Sequence, residues 1–210
     1  SSWIAGVVIG WLEAAARGLP AYLFVNPVEF HGPHLPLHND ELVAFGLARD
    51  LHARIAAHTA ADAADHAADR VAPLLVGGRL EMGVDPCPGP GSRAFSFEAV
   101  RDAVVDACGT LLDLGARSII AMTFHGSPLH EHAIEAGLAE ARRRGARALN
   151  PMNLLMDLLV DVDGNRFAPA VAHVSDANER AQLLERMSID FHGGFFETSM
   201  TLHYAPKSVS

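Results

Sequence analysis

The sequence predicts an α/β protein of three layers, in which a mostly parallel central sheet is covered by helices on both faces. Short continuous apolar runs bounded by turn-forming residues, AYLFV at 21–25 and SIIAMTF at 118–124, have the length of strands buried on both faces. Stretches of helical length separate such runs, and strands alternating with helices make a parallel sheet covered on either side.

Taken in order, Trp3 to Arg17 reads as a helix with apolar residues at helical spacing, closed by Gly18 and Pro20. Ala21 to Val25 is the first strand. After a loop at 26–38, Asn39 is placed to cap a helix reaching about His58, with Leu42, Phe45, Leu47 and Leu51 on its buried side. Val71 to Val76 reads as a second strand, moved toward an edge or a strand end by Pro73. Gly77 to Ser92, with PCPGPG at 86–91, reads as a long loop, and loops of that length are often functional. Phe97 to Leu114 is a helix ended by Gly115, and it feeds the strand at 118–124. Pro128 opens a further helix to about Arg144, with Gly145 beyond its end. Ala146 to Leu149 is a short fourth strand. Met152 to Val160 and Glu179 to Met187 read as helices, with a turn at Asp161 to Asn165, and the closing stretch 191–206 carries His192, Glu197 and His203.

At 210 residues the chain fits one domain, 1–210, with half its residues hydrophobic and a fifth charged, far from the composition of a disordered chain. The net charge of −9 and a single lysine, Lys207, leave no basic stripe of the kind a nucleic-acid surface needs. Arg142 to Arg144 sit at a helix end, where cations suit the dipole. Cys87 and Cys108 lie in unlike settings and imply no disulfide framework. The opening residues lack a basic n-region and carry Glu13, which argues against a signal peptide, and no apolar run reaches the roughly 18 residues of a membrane span. A cytoplasmic address without membrane contact is the expectation.

The chemistry concentrates where strands end. In an open α/β sheet, ligands collect beyond the carboxyl ends of the strands, and the first strand runs into NPVEFHGPHLPLHND at 26–40. Glu29 and His31 are two apart, so in an extended backbone both face one side while Phe30 faces the other. Asp40 follows at the mouth of a helix, where the dipole favours a carboxylate. Two acids and an imidazole form a mixed oxygen and nitrogen set suited to Zn²⁺, Mn²⁺ or Fe²⁺ rather than Ca²⁺. The bland alternative is that Glu29 and Asp40 cap helices while His31 packs in the loop. His125 stands just past the 118–124 run, beside Gly126, so a second strand end points at the same locus. The segment 192–197 adds His192 and Glu197 on a glycine-rich stretch. His34 and His38 flank the loop and are expected to orient a ligand or the loop rather than to bind metal directly. His130-Glu131-His132 with Glu135 could be mistaken for a zinc motif, but His130 and His132 stand about 200° apart on a helix and the order is not H-E-x-x-H, so surface helix charge is the reading set against it. Ser127 lacks a nucleophile elbow, and nothing near Cys87 in sequence would activate its thiol.

The string Glu29-Phe30-His31-Gly32-Pro33-His34-Leu35-Pro36 with Asp40 resembles the E-Q-H-G-P-H-L-P…D signature of the creatininase family, metal-dependent hydrolases of cyclic amides and related bonds. His125 falls where that family has the histidine of N-G-H-G-G-N, HGGFFETS at 192–199 is similar to its H-A-G-E-x-E-T-S segment, and the Gly/Pro loop with Phe95-Ser96-Phe97 is similar to its substrate-side loop. The resemblance implies a creatininase-like fold with two divalent ions, Zn, Mn or Fe. Glu29 and His125 would hold one, His31 and Glu197 the other, and Asp40 would bridge them; His192 would be a proton shuttle or substrate contact, with Glu197 also in the catalytic set. Phe30, Ser127 and Phe195 depart from the family's Gln, Glu and Glu. Both tryptophans, Trp3 and Trp11, precede the first strand, so creatinine itself is not the expected substrate.

The implied function is hydrolysis of a C–N bond in a small amide, cyclic amide or short peptide by hydroxide generated at the metals. The alternatives are a non-catalytic or single-metal ligand-binding protein, or a metal-assisted isomerase or lyase. The expected partner is a small-molecule amide or peptide. By resemblance the chain forms a homo-oligomer, a hexamer, in which the apolar helix at 3–17 is covered either by a neighbour or by its own sheet.

Overall fold

The computed structural model describes residues 18–62, 74–159, 164–187 and 192–210. The expected helix at 3–17, the first residues of the expected strand at 71–76 and most of the turn at 161–165 lie outside them. The described sheet has four strands, β1 (Ala21–Val25), β2 (Leu75–Leu80), β3 (Ser118–Met122) and β4 (Arg147–Leu149), in the spatial order β2-β1-β3-β4, and every pairing is parallel.

That order follows from handedness. The chain steps from β1 to one side through α1 (Asn39–Asp62), then crosses back over β1 through α2 (Phe97–Asp113) to β3 and onward through α3 (Pro128–Arg143) to β4. Right-handed crossovers taken in opposite directions deposit their helices on opposite faces. Accordingly Ala21, Leu23 and Val25 of β1 pack with Val100, Val104 and Leu111 of α2 and Ile134 and Leu138 of α3. Tyr22 and Phe24 face the other way, onto Val43, Ala44 and Ala48 of α1. Leu155 from α4 (Pro151–Leu159) and Phe196, Met200 and Tyr204 from α6 (Phe195–Tyr204) complete that second layer. The remaining helix, α5 (Ala177–Arg186), has no buried residue and is capped by the Asp176 carboxylate at Asn178 and Glu179 N–H. The three-layer α/β arrangement is thus the one expected.

β2 differs from its expected bounds. The strand continues to Leu80 through Gly77 and Gly78, where the glycines had read as loop. Gly77 is skipped in the pairing, since Tyr22 aligns with Val76 and Leu23 with Gly78, and a Cβ there would come within 2.6 Å of the Leu111 side chain. A bulge and a close helix contact are two uses of glycine within a strand. Within the described sheet β2 is an edge strand, the position Pro73 had indicated.

Beyond their ends, β1 and β3 are held together by one side chain. Asn26 donates from Nδ2 to the Met122 carbonyl at 3.3 Å and accepts the Phe124 N–H at 3.0 Å, carrying the pairing past the last regular residues. Asn26→Ala would leave the Phe124 N–H and the Met122 carbonyl without these bonds in a buried setting, and it should lower the unfolding free energy by about 1–3 kcal/mol in denaturant titration.

Candidate metal centre

The gap between β1 and β3 is the point where the strand order reverses, because the chain leaves β1 toward β2 and returns on the other side at β3. Helices on opposite faces diverge at such a point and leave a crevice past the strand ends. Glu29 and His31 follow β1, and His125 follows β3. The loop after β1 closes on itself through the Glu29 N–H, which donates to the Leu37 carbonyl at 2.9 Å. This turn brings Asp40, in the first turn of α1, back over the strand ends. Phe30 faces away from Glu29 and His31, with its side chain against Gly89 of the Gly/Pro loop, as the alternation of an extended segment requires.

Glu197 arrives from the first turn of α6. Its Oε2 accepts the Gly193 N–H at 2.5 Å, and Gly193 has φ +63 with a Cβ position only 2.9 Å from the His31 carbonyl oxygen, so only glycine fits this turn. α6 itself is seated on α1 by the Thr201 hydroxyl, which lies 2.6 Å from Asn39 Oδ1, and by the Tyr204 hydroxyl, which donates to Asp50 at 2.8 Å. Asn39 had been expected to cap α1. It is instead the helix's first residue, and its amide oxygen engages Thr201.

The described structure therefore brings Glu29, His31, Asp40, His125 and Glu197 together, all buried. They form two overlapping groups, Glu29 with Asp40 and His125, and His31 with Asp40 and Glu197, with the potential ligand atoms of each group within 4.8 Å of one another. Asp40 belongs to both, and its two oxygens divide: Oδ1 lies 2.9 Å from His31 Nε2 and Oδ2 lies 3.8 Å from His125 Nδ1. Glu29 Oε2 lies 2.9 Å from His125 Nδ1, and Glu197 Oε2 lies 3.6 Å from His31 Nε2.

Each histidine presents one nitrogen to the carboxylates and commits the other to backbone. His31 Nδ1–H donates to the Glu29 carbonyl at 3.0 Å, and His125 Nε2–H donates to the Val84 carbonyl at 2.9 Å. Fixing the tautomer through the far nitrogen is what a histidine ligand needs. The near atoms meet as ion pairs rather than as well-aligned hydrogen bonds: Glu29 Oε2, His31 Nε2 and both Asp40 oxygens are buried, make no hydrogen bond of good geometry, and pair within the cluster. Lone pairs that converge on shared points in this way fit a divalent cation, and three carboxylates with two imidazoles suit a borderline metal.

The electrostatics agree with that fit. Burial pushes the Glu29 carboxyl up, but the His125 ring beside it and the Cys87 N–H it accepts hold it at about 2. Burial pushes Asp40 above the ordinary carboxylate range despite the neighbouring imidazoles. Burial, then the charge of Asp40, raises Glu197 to about 7. Burial would lower His31, yet Asp40 and Glu197 outweigh it and raise the ring to about 9. Glu29 thus stays ionised, while Asp40, Glu197 and His31 hold protons more tightly than usual, where a cation would replace them.

His192 lies at the rim. Its Nε2–H donates to the Phe30 carbonyl at 2.8 Å, its Nδ1 is 3.7 Å from Glu29 Oε1, and its ring lies 4.4 Å from that of His31. His34 ties the loop to α6 through Thr198 Oγ1 at 2.9 Å. The Gly/Pro loop is clipped on by Ser92, whose hydroxyl accepts the Phe30 N–H at 2.9 Å and donates to the Cys87 carbonyl at 2.7 Å. Phe196 stacks on Phe124, packed against the core layer beside α1. Ser127, at the position of the family's glutamate, caps α3 by accepting the His130 N–H. The exposed His38 stands near Glu41 and Glu81, but Glu41 is engaged by Arg79 at 2.6 Å and this group is separate from the centre.

Reading 130–135 as surface charge was wrong for two residues. His130 is fully buried and Glu131 nearly so, with the Glu131 carboxylate accepting from the Asn150 amide. The missed signal is spacing: four residues before Ile134 and eight before Leu138, His130 lies on the stripe that faces the sheet. Cys87 and Cys108 are both free, in line with the absence of a disulfide framework. No helix among the described residues is long and apolar enough to cross a membrane.

The sequence model described as Creatininase, creatinine amidohydrolase, matches residues 11–210. Among solved structures, the chain is similar to one of creatinine amidohydrolase (creatininase), with TM-score 0.61 and 20% identity over 95% of this chain and 70% of that one. It is similar to a structure named Creatininase Mn, with TM-score 0.59 and 19% identity over 95% and 71%. It also resembles a mutant creatininase of Zn-Zn type, with TM-score 0.52 and 20% identity over 95% and 70%. No curated protein matches. With the sheet, its switch point and a family match across nearly the whole sequence in agreement, the chain belongs to the creatininase family.

Proposed function

We propose that the protein is a metal-dependent hydrolase of a C–N bond in a small amide, cyclic amide or short peptide other than creatinine. The observation that carries this reading is the buried convergence of ligand-type atoms from Glu29, His31, Asp40, His125 and Glu197 into two groups that share Asp40. Three carboxylates packed with two imidazoles in the interior repel or hold protons unless a cation sits among them, so the arrangement favours a metal occupant. The relatives named for manganese and zinc support the choice of metal.

Glu29, Asp40 and His125 would hold one ion and His31, Asp40 and Glu197 the other. A divalent pair so held supplies Lewis acidity toward a carbonyl oxygen and lowers the pKa of water toward neutrality. The chain's own part is to keep Glu29 ionised, to present His31 Nε2 and His125 Nδ1 as lone pairs, and to move a proton. His192 is suited to moving it. Its Nε2–H is fixed on the Phe30 carbonyl, which leaves Nδ1 at the rim to accept a proton from the attacking water and pass it to the departing nitrogen. The net reaction adds hydroxyl to the acyl carbon and hydrogen to the nitrogen.

Elemental analysis of the purified protein together with turnover on a panel of amides and short peptides tests the assignment. About two equivalents of metal with hydrolysis are expected, and Asp40→Ala should lose both ions and all activity. A metal-replete, active Asp40→Ala variant would reject it, and zero or one equivalent without turnover would favour a ligand-binding member of the fold.

The shifted groups also set a pH dependence for the metal-free protein. Glu29, lowered to about 2, contributes stability above its unfolded value that is lost as pH falls. Glu197, raised to about 7, and His31, raised to about 9, favour the folded state when protonated, and that contribution is lost as pH rises through those values. Metal-free protein should therefore lose stability between about pH 5 and 9, and the Tm increase on adding Mn²⁺ or Zn²⁺ should grow over that range. Calorimetry at several pH values measures it; an increase that is flat with pH would refute the ligand set.

A further inference from the structure

A fully buried histidine needs a reason, because a ring with two polar nitrogens costs more to bury than an apolar residue of equal volume unless both nitrogens are bonded. His130 is 0% exposed, on the face of α3 that continues through Ile134 and Leu138. Both its nitrogens meet backbone. Nδ1 accepts the Val84 N–H at 3.3 Å, which leaves the proton on Nε2, and Nε2–H donates to the carbonyl of Val25, the last residue of β1, at 3.2 Å. Burial, then the neighbouring His125, keeps the ring neutral by lowering it to about 3.

What His130 holds is a short piece of chain that touches two of the candidate ligands. The Val84 carbonyl accepts His125 Nε2–H at 2.9 Å, and three residues on, the Cys87 N–H donates to Glu29 Oε1. Between them Asp85 has φ +53, the one positive φ of a non-glycine residue among the described residues. That left-handed turn aims a carbonyl at one ligand and an N–H at the other. His130 anchors the segment at Val84, and its ring also lies edge-on to that of His125 with centroids 5.1 Å apart. None of the hydrogen bonds of this segment reaches His31 or Glu197.

We propose that His130 is a positioning residue for the Glu29–His125 half of the centre: through the backbone of Val84 it fixes which nitrogen His125 presents and where. This rests on the reading of the site as a two-metal centre. An apolar residue there would fill the space but release the Val84 N–H, so the carbonyl that orients His125 would lose its anchor.

The test is stepwise metal binding by the full chain, measured with Zn²⁺ against a chromophoric chelator, for wild type, His130→Leu and His130→Gln. Wild type should show two steps. His130→Leu should weaken one step by about 10–100-fold, the size expected for losing a group behind a ligand, and leave the other within about twofold. His130→Gln, which can accept and donate along the same line, should recover most of the loss. Two unchanged steps in His130→Leu, or two steps weakened alike, overturn the proposal; a wild type that binds no metal overturns the reading of the site instead. Imidazole nitrogen spectra of the wild type give a measure independent of how well the variants fold. His130 should carry its proton on Nε2 with and without Zn²⁺ while His125 Nδ1 shifts on loading, and a His130 protonated on Nδ1 overturns the proposal.

Discussion

Buried carboxylates and imidazoles face one another at the switch point of the sheet at ion-pairing distance, 2.9 Å for His31 with Asp40 and for His125 with Glu29. Such groups repel, take up protons or pull in solvent unless something rigid holds them apart at fixed positions. The surrounding structure supplies that rigidity from backbone. A carbonyl orients each histidine, an amide N–H steadies Glu29, and another steadies Glu197. These donors and acceptors stand in the loops that follow β1 and β2 and in the turn before α6, where peptide groups are not used up by ladders and helices.

Because the fixing groups are peptides, the loops carrying them must be held in turn, and the side chains that do so are modest. Asn26 joins the ends of β1 and β3, Ser92 pins the Gly/Pro loop to the loop after β1, Thr201 meets Asn39, and His130 anchors Val84. Glycine permits the approaches: Gly89 lets Phe30 lie flat on the loop, and Gly193 lets the turn before α6 pass over the His31 carbonyl. The long loop at 77–92 thus divides into the second half of β2, the turn that contacts two ligands, and a cover for the site.

Much of this was legible in the sequence, and the reasons it was or was not are physical. β1 and β3 are buried on both faces, so their apolar runs stand out, and the strand-end position of Glu29, His31 and His125 followed from them. Asp40 was legible because helix starts favour acids. β2 was cut short because glycine within a strand carries no pattern; its use as a bulge against Leu111 exists only in three dimensions. The burial of His130 went unread because the 130–135 stretch was weighed only as a metal motif against surface charge, whereas the stripe with Ile134 and Leu138 would have placed it inside. Asn26, Ser92 and Thr201 act through partners between 62 and 162 residues away, and no local signal marks them.

Glu29 and Glu197 stand at nearly opposite ends of the described chain, yet both meet the same buried aspartate, each with a different imidazole. Bringing four separate stretches to one spot has an entropy cost that is paid only once the sheet is assembled and the C-terminal helix has docked. A pair of ions sharing Asp40 would be held in full only by the finished molecule and would shift the balance toward the complete tertiary structure by mass action. The centre would then work as a proofreading clasp: chains whose helix α6 has failed to seat on α1 would lack Glu197, grip the second ion weakly, and be left as the ones that unravel.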